Sequence, residues 1–372
     1  MKFKCSQQDL SRALNIVSKA VTSRTTIPIL KGILIEAGET GNLKMVASDL
    51  DITIEEVIKV ETLEKGSVVV QAKLFGDIIR KLPGKELEVE VAEGKVIIRC
   101  MNSEFSIVGM PADEFPEIKN EEEGSGCIEF DSELLKSMIR KTSFAASIDE
   151  SKGVITGILT ELKSDEISMV AIDGYRMAIS REPMVNTEEK SIIISAKIMN
   201  EINKIISDIS SDSAEKIKLL INNRKAVFVI ENVKVALRLL DGEFIKYRDI
   251  LPKEDKIQVR VSRRDLLDSI ERASLLSKEG KNNLIKLAIS DNLITITSRS
   301  EEGNVREDVL AQKTGDDLEI GFNAKYVLDV LKVIDDDEII MKFNTGITPC
   351  LVHPVEGNSY EYLILPVRIT GN

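Results

Sequence analysis

A segment that begins with alanine and lysine occurs three times in the chain, each time directly after a short apolar strand. The copies start at Ala72, Ala196 and Ala324, so the intervals are 124 (196 − 72) and 128 (324 − 196) residues. One third of the 372 residues is also 124. Because this period is far longer than the roughly 20 to 50 residues of a solenoid unit, each repeat should be a domain with its own core. The sequence predicts three domains, at residues 1–124, 125–254 and 255–372.

A second repeated pattern supports the same period. Asp9, Glu133 and Asp265 each open an amphipathic segment after a predicted strand, and Met45–Asp49 resembles Met169–Asp173 at an offset of 124. Helical spacing of the apolar residues predicts six helices, two in each third, at 8–20, 72–82, 131–145, 196–207, 262–278 and 323–333. Between them, short alternating segments indicate antiparallel strands. The predicted fold class is therefore α+β, with two helices on one face of antiparallel sheets in each repeated domain.

The composition excludes several classes of protein. No apolar run approaches the roughly 18 residues of a membrane span, and the first residues lack the apolar stretch of a signal peptide, which predicts a cytoplasmic protein without membrane contact. The four cysteines are scattered and are expected to be reduced core residues. The single histidine, His353, precedes Pro354 and is predicted to lie in a surface loop. Neither a metal site nor a cofactor is predicted.

Catalytic motifs are absent from the sequence. We find no phosphate-binding G-x-x-x-x-G-K-[ST], no dinucleotide glycine motif and no H-E-x-x-H. Acidic clusters such as Asp335–Glu338 lack an ordered spacing of metal ligands and are interpreted as solvated charge. The chain is predicted not to be an enzyme, and an unrecognised enzyme with a carboxylate pair is kept as a weak alternative.

The distribution of charge is more informative than the net charge of −12. The six predicted helices together carry +7, which leaves −19 for the rest of the chain. Lysine and arginine stand opposite the apolar stripes of these helices, so their side chains should point away from the core. Each helix alone could simply have an ordinary solvated face, but the repetition favours a basic surface on an acidic protein. Without a recognition motif, contacts should be made to phosphates and not to base edges.

Several segments resemble one family over the whole length, from Met1–Phe3 to Leu363–Arg368. The most specific are Thr26–Leu30, Ala171–Met177, Asp241–Phe244, Tyr247–Arg248 and Gly321–Leu331. On these residues the chain resembles the bacterial DNA polymerase III beta subunit, the replication sliding clamp.

The resemblance implies a homodimeric ring in which the first domain of one subunit meets the third domain of the other. Double-stranded DNA would pass through the ring without sequence specificity. The implied partners are a clamp loader, the DNA polymerase III alpha subunit, and other polymerases or repair proteins that carry a clamp-binding peptide. A specialised paralogue with altered pocket specificity, such as a drug-resistance copy, remains an alternative.

The resemblance also implies site residues. Candidate DNA-binding cations are Arg24, Lys73, Arg80, Lys81, Lys197, Lys204, Arg264 and Lys325. The partner-peptide pocket would consist of Ile155, Ile172, Gly174, Tyr175, Arg176, Met177, Ile250, Asn323, Tyr326, Ile347, Leu363, Leu365, Pro366, Val367 and Arg368. Apolar candidates for the dimer interface are Phe105, Ile107, Leu275 and Leu276, which could equally be internal core, with Arg299, Glu301 and Glu302 at the rim.

The chain departs from the family pattern at several places. Tyr175 replaces a histidine of many relatives, Ile245 stands where proline is frequent, and Thr370–Asn372 extends the usual end. The loop Ile148–Gly153 lacks the polar and aromatic DNA contacts of relatives. Peptide preference and the DNA contact of this loop are therefore expected to differ from those of relatives.

Overall fold

The structure, a computed structural model, describes residues 1–22, 25–116, 126–186, 189–209, 216–222, 224–278 and 283–369. Arg24, most of the polar segment at 119–126 and the extension Thr370–Asn372 lie outside these residues. The six predicted helices are confirmed, with ends that differ by a few residues. They are α1 Gln7–Val17, α2 Ala72–Lys81, α3 Ser132–Thr142, α4 Ala196–Ile209, α5 Arg263–Ser277 and α6 Ala324–Val333.

Twenty-five strands are numbered along the described part of the chain. They are β1 Lys2–Ser6, β2 Gly32–Ala37, β3 Asn42–Ser48, β4 Ile52–Lys59, β5 Glu61–Glu64, β6 Gly66–Gln71, β7 Glu86–Ala92, β8 Lys95–Cys100, β9 Ser103–Val108, β10 Gly126–Asp131, β11 Gly157–Leu162, β12 Glu166–Ile172, β13 Arg176–Pro183, β14 Lys190–Ser195, β15 Lys216–Ile221, β16 Lys225–Ile230, β17 Val233–Arg238, β18 Ile257–Ser262, β19 Leu284–Ser290, β20 Leu293–Ser300, β21 Gly303–Thr314, β22 Leu318–Asn323, β23 Glu338–Phe343, β24 Cys350–Pro354 and β25 Tyr360–Ile364.

The strands form three sheets, and every pairing between the named strands is antiparallel, which confirms the predicted α+β class. The strand orders are β5-β1-β7-β8-β9, then β10-β15-β16-β17-β4-β3-β2-β6, and finally β14-β11-β12-β13-β25-β24-β23-β18-β21-β20-β19-β22.

The chain divides into two compact units, which are Met1–Leu135 with Glu201–Leu239 and Lys136–Asn200 with Leu240–Asn372. The first unit contains the five- and eight-stranded sheets, and the second contains the twelve-stranded sheet. Within the first unit β4 pairs with β17, and within the second β13 pairs with β25. The first unit therefore joins strands from the first and second repeats, and the second unit joins strands from the second and third repeats. The boundaries of the three repeated domains stay a prediction.

In the first unit, α1 packs against α2 and against β3 and β4, while α2 packs on β2 and β6. Leu10, Ile16 and Phe75 on the inner sides of these helices are fully buried. The Ser6 hydroxyl caps α1 by accepting a hydrogen bond from the Gln8 backbone N–H. Burial of one apolar stripe leaves the opposite stripe of each helix, with its lysine and arginine side chains, in solvent.

In the second unit, α5 packs against α6 and on β19, β20 and β21. Ile270 on α5 and Leu331 on α6 are fully buried, as is Phe322 at the end of β22. Ser262 caps α5, and Asn323 caps α6 by accepting from the Lys325 N–H. In both units, then, two helices pack together and cover one sheet. Whether all six helices line one common surface stays a prediction.

The internal repeat is visible in the geometry of two turns. In the first third, Asp49 Oδ1 accepts from the backbone N–H of the residues two and three positions on, at 3.1 and 2.9 Å. In the second third, Asp173 Oδ1 does the same at 2.8 and 3.0 Å. The residue after each aspartate has positive φ, 79° at Leu50 and 97° at Gly174. The glycine adopts this conformation without the strain that leucine carries.

Two predictions about single residues were wrong. His353 lies in β24 and is half-buried, and burial lowers the pKa of its imidazole. The adjacent Pro354, which suggests a loop in the sequence, is the last residue of that strand. Of the four cysteines, Cys127 is exposed and the other three are buried. Cys127 is on β10, an outer strand of its sheet, where one side of the strand has no neighbour among the described strands.

Within the described residues, no helix is long and apolar enough to cross a membrane.

A buried carboxylate lies at the junction of β4 and β17. Glu56 is fully buried and pairs with Val233 across the two strands. Its Oε1 is 3.7 Å from the Arg12 guanidinium and accepts a 3.4 Å hydrogen bond from the Asn232 side chain, while its Oε2 has no partner among the described residues. Burial raises the pKa of the Glu56 carboxyl to about 7, although Arg12 and Asn232 act in the opposite direction.

This carboxylate predicts a pH-dependent stability. The folded protein holds the Glu56 proton more tightly than the unfolded chain does, so the stabilisation is complete below about pH 4.5 and is lost as the pH rises through about 7. We expect Glu56→Gln to be more stable than the parent at pH 8, by about 2 kcal/mol, and to lose this advantage at pH 4. Chemical denaturation at both pH values measures the difference. Glu61→Gln on the exposed strand β5 is the control, and an equal pH dependence of the two variants would contradict the assignment.

Candidate functional site

The predicted DNA-binding cations that the structure describes are all exposed. Lys73, Arg80 and Lys81 lie on α2, Lys197 and Lys204 on α4, Arg264 at the start of α5, and Lys325 at the start of α6. Arg80 pairs with Asp77 at 2.9 Å, and Lys204 pairs with Glu201 at 2.8 Å. Exposed pairs of this kind contribute little to stability, about 0 to 1 kcal/mol, and are screened by salt. Both cations can therefore exchange an internal partner for an external anion.

An apolar cluster in the second unit forms the floor of the predicted peptide pocket. Ile172 ends β12, Met177 is the second residue of β13, and Leu363 lies on β25, and all three side chains are buried in one cluster. Ile155 and Leu365 are partly buried and pack against it. The pairing of β13 with β25 brings these segments together, since Met177 stands directly opposite Leu363.

Three of the predicted pocket residues have exposed apolar side chains. Tyr175 is 57% exposed, Ile250 39% and Ile347 79%. The Tyr175 ring stacks on the Tyr326 ring with centroids 6.0 Å apart and an interplanar angle of 21°. These exposed residues are close in sequence to Met177 and Leu351, which belong to the buried cluster, and to Leu251, which packs against it. Exposed apolar residues beside a buried apolar cluster are expected of a site that takes an apolar anchor of a partner.

Arg176 is a buried anchor of the pocket loop. Its Nε donates to Asp173 Oδ2 at 3.0 Å and another guanidinium nitrogen donates to Asp329 Oδ2 at 2.5 Å. A third bond goes to the Phe144 carbonyl at 2.7 Å, and the guanidinium lies 4.7 Å from the centre of the Tyr326 ring. These contacts fix the loop between β12 and β13 to α6.

The tail after β25 is held by two backbone hydrogen bonds. Leu365 N–H donates to the Tyr175 carbonyl at 2.9 Å, and Val367 N–H donates to the Gly321 carbonyl at 2.8 Å. A side chain at Gly321 would come within 2.8 Å of the Val367 carbonyl oxygen, so glycine permits this close approach. The tail therefore connects the pocket loop to β22.

The remaining predicted pocket residues have different environments. The Asn323 side chain is engaged in capping α6. Pro366 and Val367 are partly buried, whereas Gly174 and Arg368 are exposed. The structure thus places Ile155, Ile172, Met177, Leu363 and Leu365 in one cluster and gives Asn323 a structural hydrogen bond, while Arg368 is exposed. The assignment of these residues to a peptide pocket stays a prediction. Among the departures from the family, Ile245 is 40% exposed.

Several residues that support the pocket carry no signal in the sequence. Asp329 and Phe144 hold Arg176 but are 153 and 32 residues away from it along the chain. Asp173 is an exception with a local signal, because Asp followed by Gly favours a turn in which the carboxylate accepts backbone hydrogen bonds.

A polar group of three side chains lies beside the cluster. Glu161 Oε2 accepts from the Tyr247 hydroxyl and from the Arg248 guanidinium, each at 2.6 Å. Burial raises the pKa of the Glu161 carboxyl, but the bonds from Tyr247 and Arg248 outweigh it, so the net change is a lowered pKa. Burial and the same bond raise the pKa of the Tyr247 phenol. Glu161 therefore remains a carboxylate and orders Tyr247, whose ring belongs to the apolar cluster.

The predicted interface residues lie on or beside strand edges. β9 is the outer strand of its sheet, and it carries Phe105, 40% exposed, and the partly buried Ile107. In the other unit, Leu275 is 66% exposed near the end of α5, and Leu276 is partly buried. These exposures make Phe105 and Leu275 surface residues and not internal core.

A second free edge is present on β21. Residues 303–310 pair with β20, whereas 311–314 pair with β18 on the other side of the strand. The first part of β21 therefore has one edge without a partner among the described strands. Exposed apolar residues stand on both free edges, Val108 (77%) on β9 and Leu310 (81%) on β21.

Comparison with known families accounts for nearly the whole chain. The model of the DNA polymerase III beta subunit N-terminal domain matches residues 1–119, that of the central domain matches 129–246, and that of the C-terminal domain matches 248–368. The beta sliding clamp of Bacillus subtilis is 37% identical over 382 aligned residues, which cover 99% of this chain and 100% of that protein.

Solved structures give the same result. The structure of the DNA polymerase sliding clamp from Bacillus subtilis superposes with a TM-score of 0.94 and 35% identity and covers 100% of both chains. A putative DNA polymerase III beta subunit from Eubacterium rectale has a TM-score of 0.93 and 35% identity, with 99% of this chain and 100% of that chain covered. With three consecutive domain matches and full-length relatives, the chain belongs to the DNA polymerase III beta subunit family.

Proposed function

We propose that this chain is a DNA sliding clamp, a ring of two copies that encircles duplex DNA and tethers replication and repair proteins to it. The observation that carries the proposal is the relation to a protein named beta sliding clamp over 99% of the chain. Helices with exposed cations, free strand edges and the apolar cluster of the second unit support the proposal. In the ring, the first domain of one copy meets the third domain of the other.

Ring closure is supported by the two free edges. A strand edge with unpaired N–H and C=O groups is a template for pairing with another chain. β9 of one copy can pair with the first part of β21 of the other, and both edges carry exposed apolar residues. Because two different surfaces meet, the contact must occur twice for the ring to close with two copies. Phe105, Ile107, Leu275 and Leu276 would be buried there.

The duplex is held by topology and not by tight binding. The exposed cations on the helices face phosphates. Their binding releases counterions from the DNA, and because this release is less favourable at high salt concentration, the contacts weaken as salt rises. Contacts to phosphates carry no sequence information. A ring with weak contacts of this kind stays on DNA and can move along it. The acidic remainder of the chain keeps its outer surface from binding DNA.

The pocket in the second unit is proposed to bind the clamp-binding peptide of a partner. An apolar side chain of the peptide would enter between Tyr175, Ile250 and Ile347 and rest on the buried floor. The partners are the DNA polymerase III alpha subunit, other polymerases and repair proteins. A loader places the ring on DNA in the cytoplasm. The chain has no catalytic role of its own and works without a cofactor.

The comparisons give the paralogue alternative no particular support. The relatives from Bacillus subtilis and Eubacterium rectale are named as a sliding clamp or as the polymerase subunit, without mention of a specialised copy.

Charge reversal tests the proposal that the exposed cations on the helices face DNA. We expect Lys73→Glu, Arg80→Glu and Lys197→Glu together to reduce loading onto nicked circular DNA by more than about tenfold, because three cations become anions beside the phosphates. The fold should be unaffected, since all three side chains are exposed. Loading is measured by co-elution with the circle in the presence of a loader. A matched variant reverses Lys59, Lys65 and Lys253, which are exposed and do not lie on a helix. Equal loading of the two variants would show that the helices do not face DNA.

A further inference from the structure

A segment of the second unit without strands or α-helices lies on the apolar cluster. It comprises residues 240–256, between β17 and β18, and we call it the strap. Its Tyr247 is a member of the cluster, and its Leu240 and Leu251 pack against the cluster. An irregular segment of this length within a compact domain is uncommon and is usually functional.

The two ends of the strap are hydrogen-bonded to strands of the second unit. At the beginning, the Leu240 N–H donates to the Ile193 carbonyl of β14 at 2.9 Å. At the end, the Lys256 N–H donates to the Phe343 carbonyl of β23 at 3.0 Å. The middle of the strap therefore needs contacts of its own to stay in one position.

Glu161, on β11, supplies these contacts. Its Oε2 accepts from the Tyr247 hydroxyl and from the Arg248 guanidinium, each at 2.6 Å, and its Oε1 accepts a second Arg248 bond at 3.3 Å. The Ser168 hydroxyl of β12 donates a further 3.3 Å bond to Oε2. Because Tyr247 is only 3% exposed, loss of Glu161 would leave its hydroxyl buried without this partner, at a cost that favours movement of the strap.

The turn that follows Tyr247 extends this restraint toward the predicted pocket. The Ile250 N–H donates to the Tyr247 carbonyl at 3.1 Å, and Ile250 is one of the exposed apolar residues of the predicted pocket. The next residue, Leu251, packs against the apolar cluster. A contact that fixes Tyr247 therefore also restricts where Ile250 can stand beside the cluster.

We propose that Glu161 is a positioning residue for the binding of a partner peptide. It acts through Tyr247 and Arg248, and not by contact with the peptide, by holding the strap so that Ile250 already stands beside the cluster before the peptide arrives. A strap that is ordered in advance does not have to be ordered by the peptide, which preserves affinity. This inference rests on the proposed function of the pocket.

Two substitutions of Glu161 test the proposal by peptide binding. Glu161→Ala removes every bond to the strap, and we expect it to bind a labelled peptide from a polymerase III alpha subunit about tenfold more weakly than the parent does. Glu161→Gln keeps an oxygen that can accept from the Tyr247 hydroxyl but loses the charge, so its affinity should be intermediate. Fluorescence anisotropy measures all three affinities.

The matched control removes another glutamate that is paired with an arginine in the same unit. Glu338, on β23, pairs with Arg260 on β18, and neither belongs to the strap or to the predicted pocket. Glu338→Ala should bind the peptide as the parent does. Equal peptide affinities of the parent and Glu161→Ala would overturn the proposal.

Hydrogen exchange without peptide separates positioning from general stability. In Glu161→Ala, the fragment that contains Ile250 should exchange at least about fivefold faster than in the parent, whereas the amides of β13 should exchange at the parent rate. Equal acceleration in both regions, or in neither, would also overturn the proposal. A parent protein that binds no peptide would refute the proposed function of the pocket itself, and the exchange experiment, which needs no peptide, keeps that failure distinct from a failure of Glu161 to hold the strap.

Discussion

A chain carrying aspartate at both Phe105 and Leu275 is expected to be monomeric at concentrations where the parent is a dimer. Phe105 is 40% exposed and Leu275 66% exposed in the single copy, so the substitutions should not disturb its fold. In the proposed ring each aspartate would lose its water against an apolar surface, and the contact occurs twice. We expect the dissociation constant of the dimer to rise at least about 100-fold, or about 2.7 kcal/mol.

Sedimentation equilibrium over a range of concentrations measures this change. The matched control carries aspartate at Leu63 and Leu50, which are 49% and 58% exposed. Leu63 lies on β5, the opposite outer strand of the sheet that contains β9. The control should remain dimeric. A dimer of unchanged stability in the Phe105 and Leu275 variant would place the interface elsewhere.

Truncation after Ile364 is expected to abolish binding of a clamp-binding peptide, with a loss of at least about 100-fold in affinity. The truncation removes Leu365, which packs on the apolar cluster, and both backbone bonds that hold the tail to Tyr175 and Gly321. Without these bonds the rim around Tyr175 loses its support. Fluorescence anisotropy with a labelled peptide from a polymerase III alpha subunit measures the loss.

A shorter truncation provides the control. Ending the chain after Ile369 removes only residues 370–372 and leaves both backbone bonds in place. This variant should bind the peptide as the parent does. Because β25 itself is kept in both variants, circular dichroism and the melting temperature should show a folded protein. Undiminished peptide binding by the folded chain that ends at Ile364 would exclude the tail from the pocket.

The helices can be predicted because their information is local. Apolar residues at helical spacing mark all six helices, and capping residues such as Ser262 mark the start of some of them. The repeated segment also occurs once in each third of the chain. The joins between β4 and β17 and between β13 and β25 cannot be predicted in this way, since pairing of strands far apart in sequence leaves no local signal. The same limit conceals Asp329, whose carboxylate reaches Arg176 only after the strands are assembled.

Some signals are present in the sequence but are easily misinterpreted. In β4, Ile52, Ile54 and Ile58 occupy every second position and are buried, except that Glu56 stands at one of these inward positions. A period of two residues therefore indicates a carboxylate on the core side of this strand. Pro354 suggests a loop at His353, yet a proline at the end of a strand is compatible with pairing.

Ten of the fifteen predicted pocket residues lie in two short segments, Ala171–Met177 and Leu363–Arg368, and the resemblance to the family covers both. Ile155, Ile250, Asn323, Tyr326 and Ile347 lie outside these segments, and the assignment of the whole set to a pocket stays a prediction.

Retention on DNA tests the central claim most directly. The protein is loaded onto a nicked circle, the salt concentration is raised until phosphate contacts are screened, and the fraction that stays bound is measured before and after one restriction cut. A ring that encircles the duplex stays on the circle and leaves once the DNA is linear, because its retention is topological. Equal loss from circular and linear DNA would contradict this account.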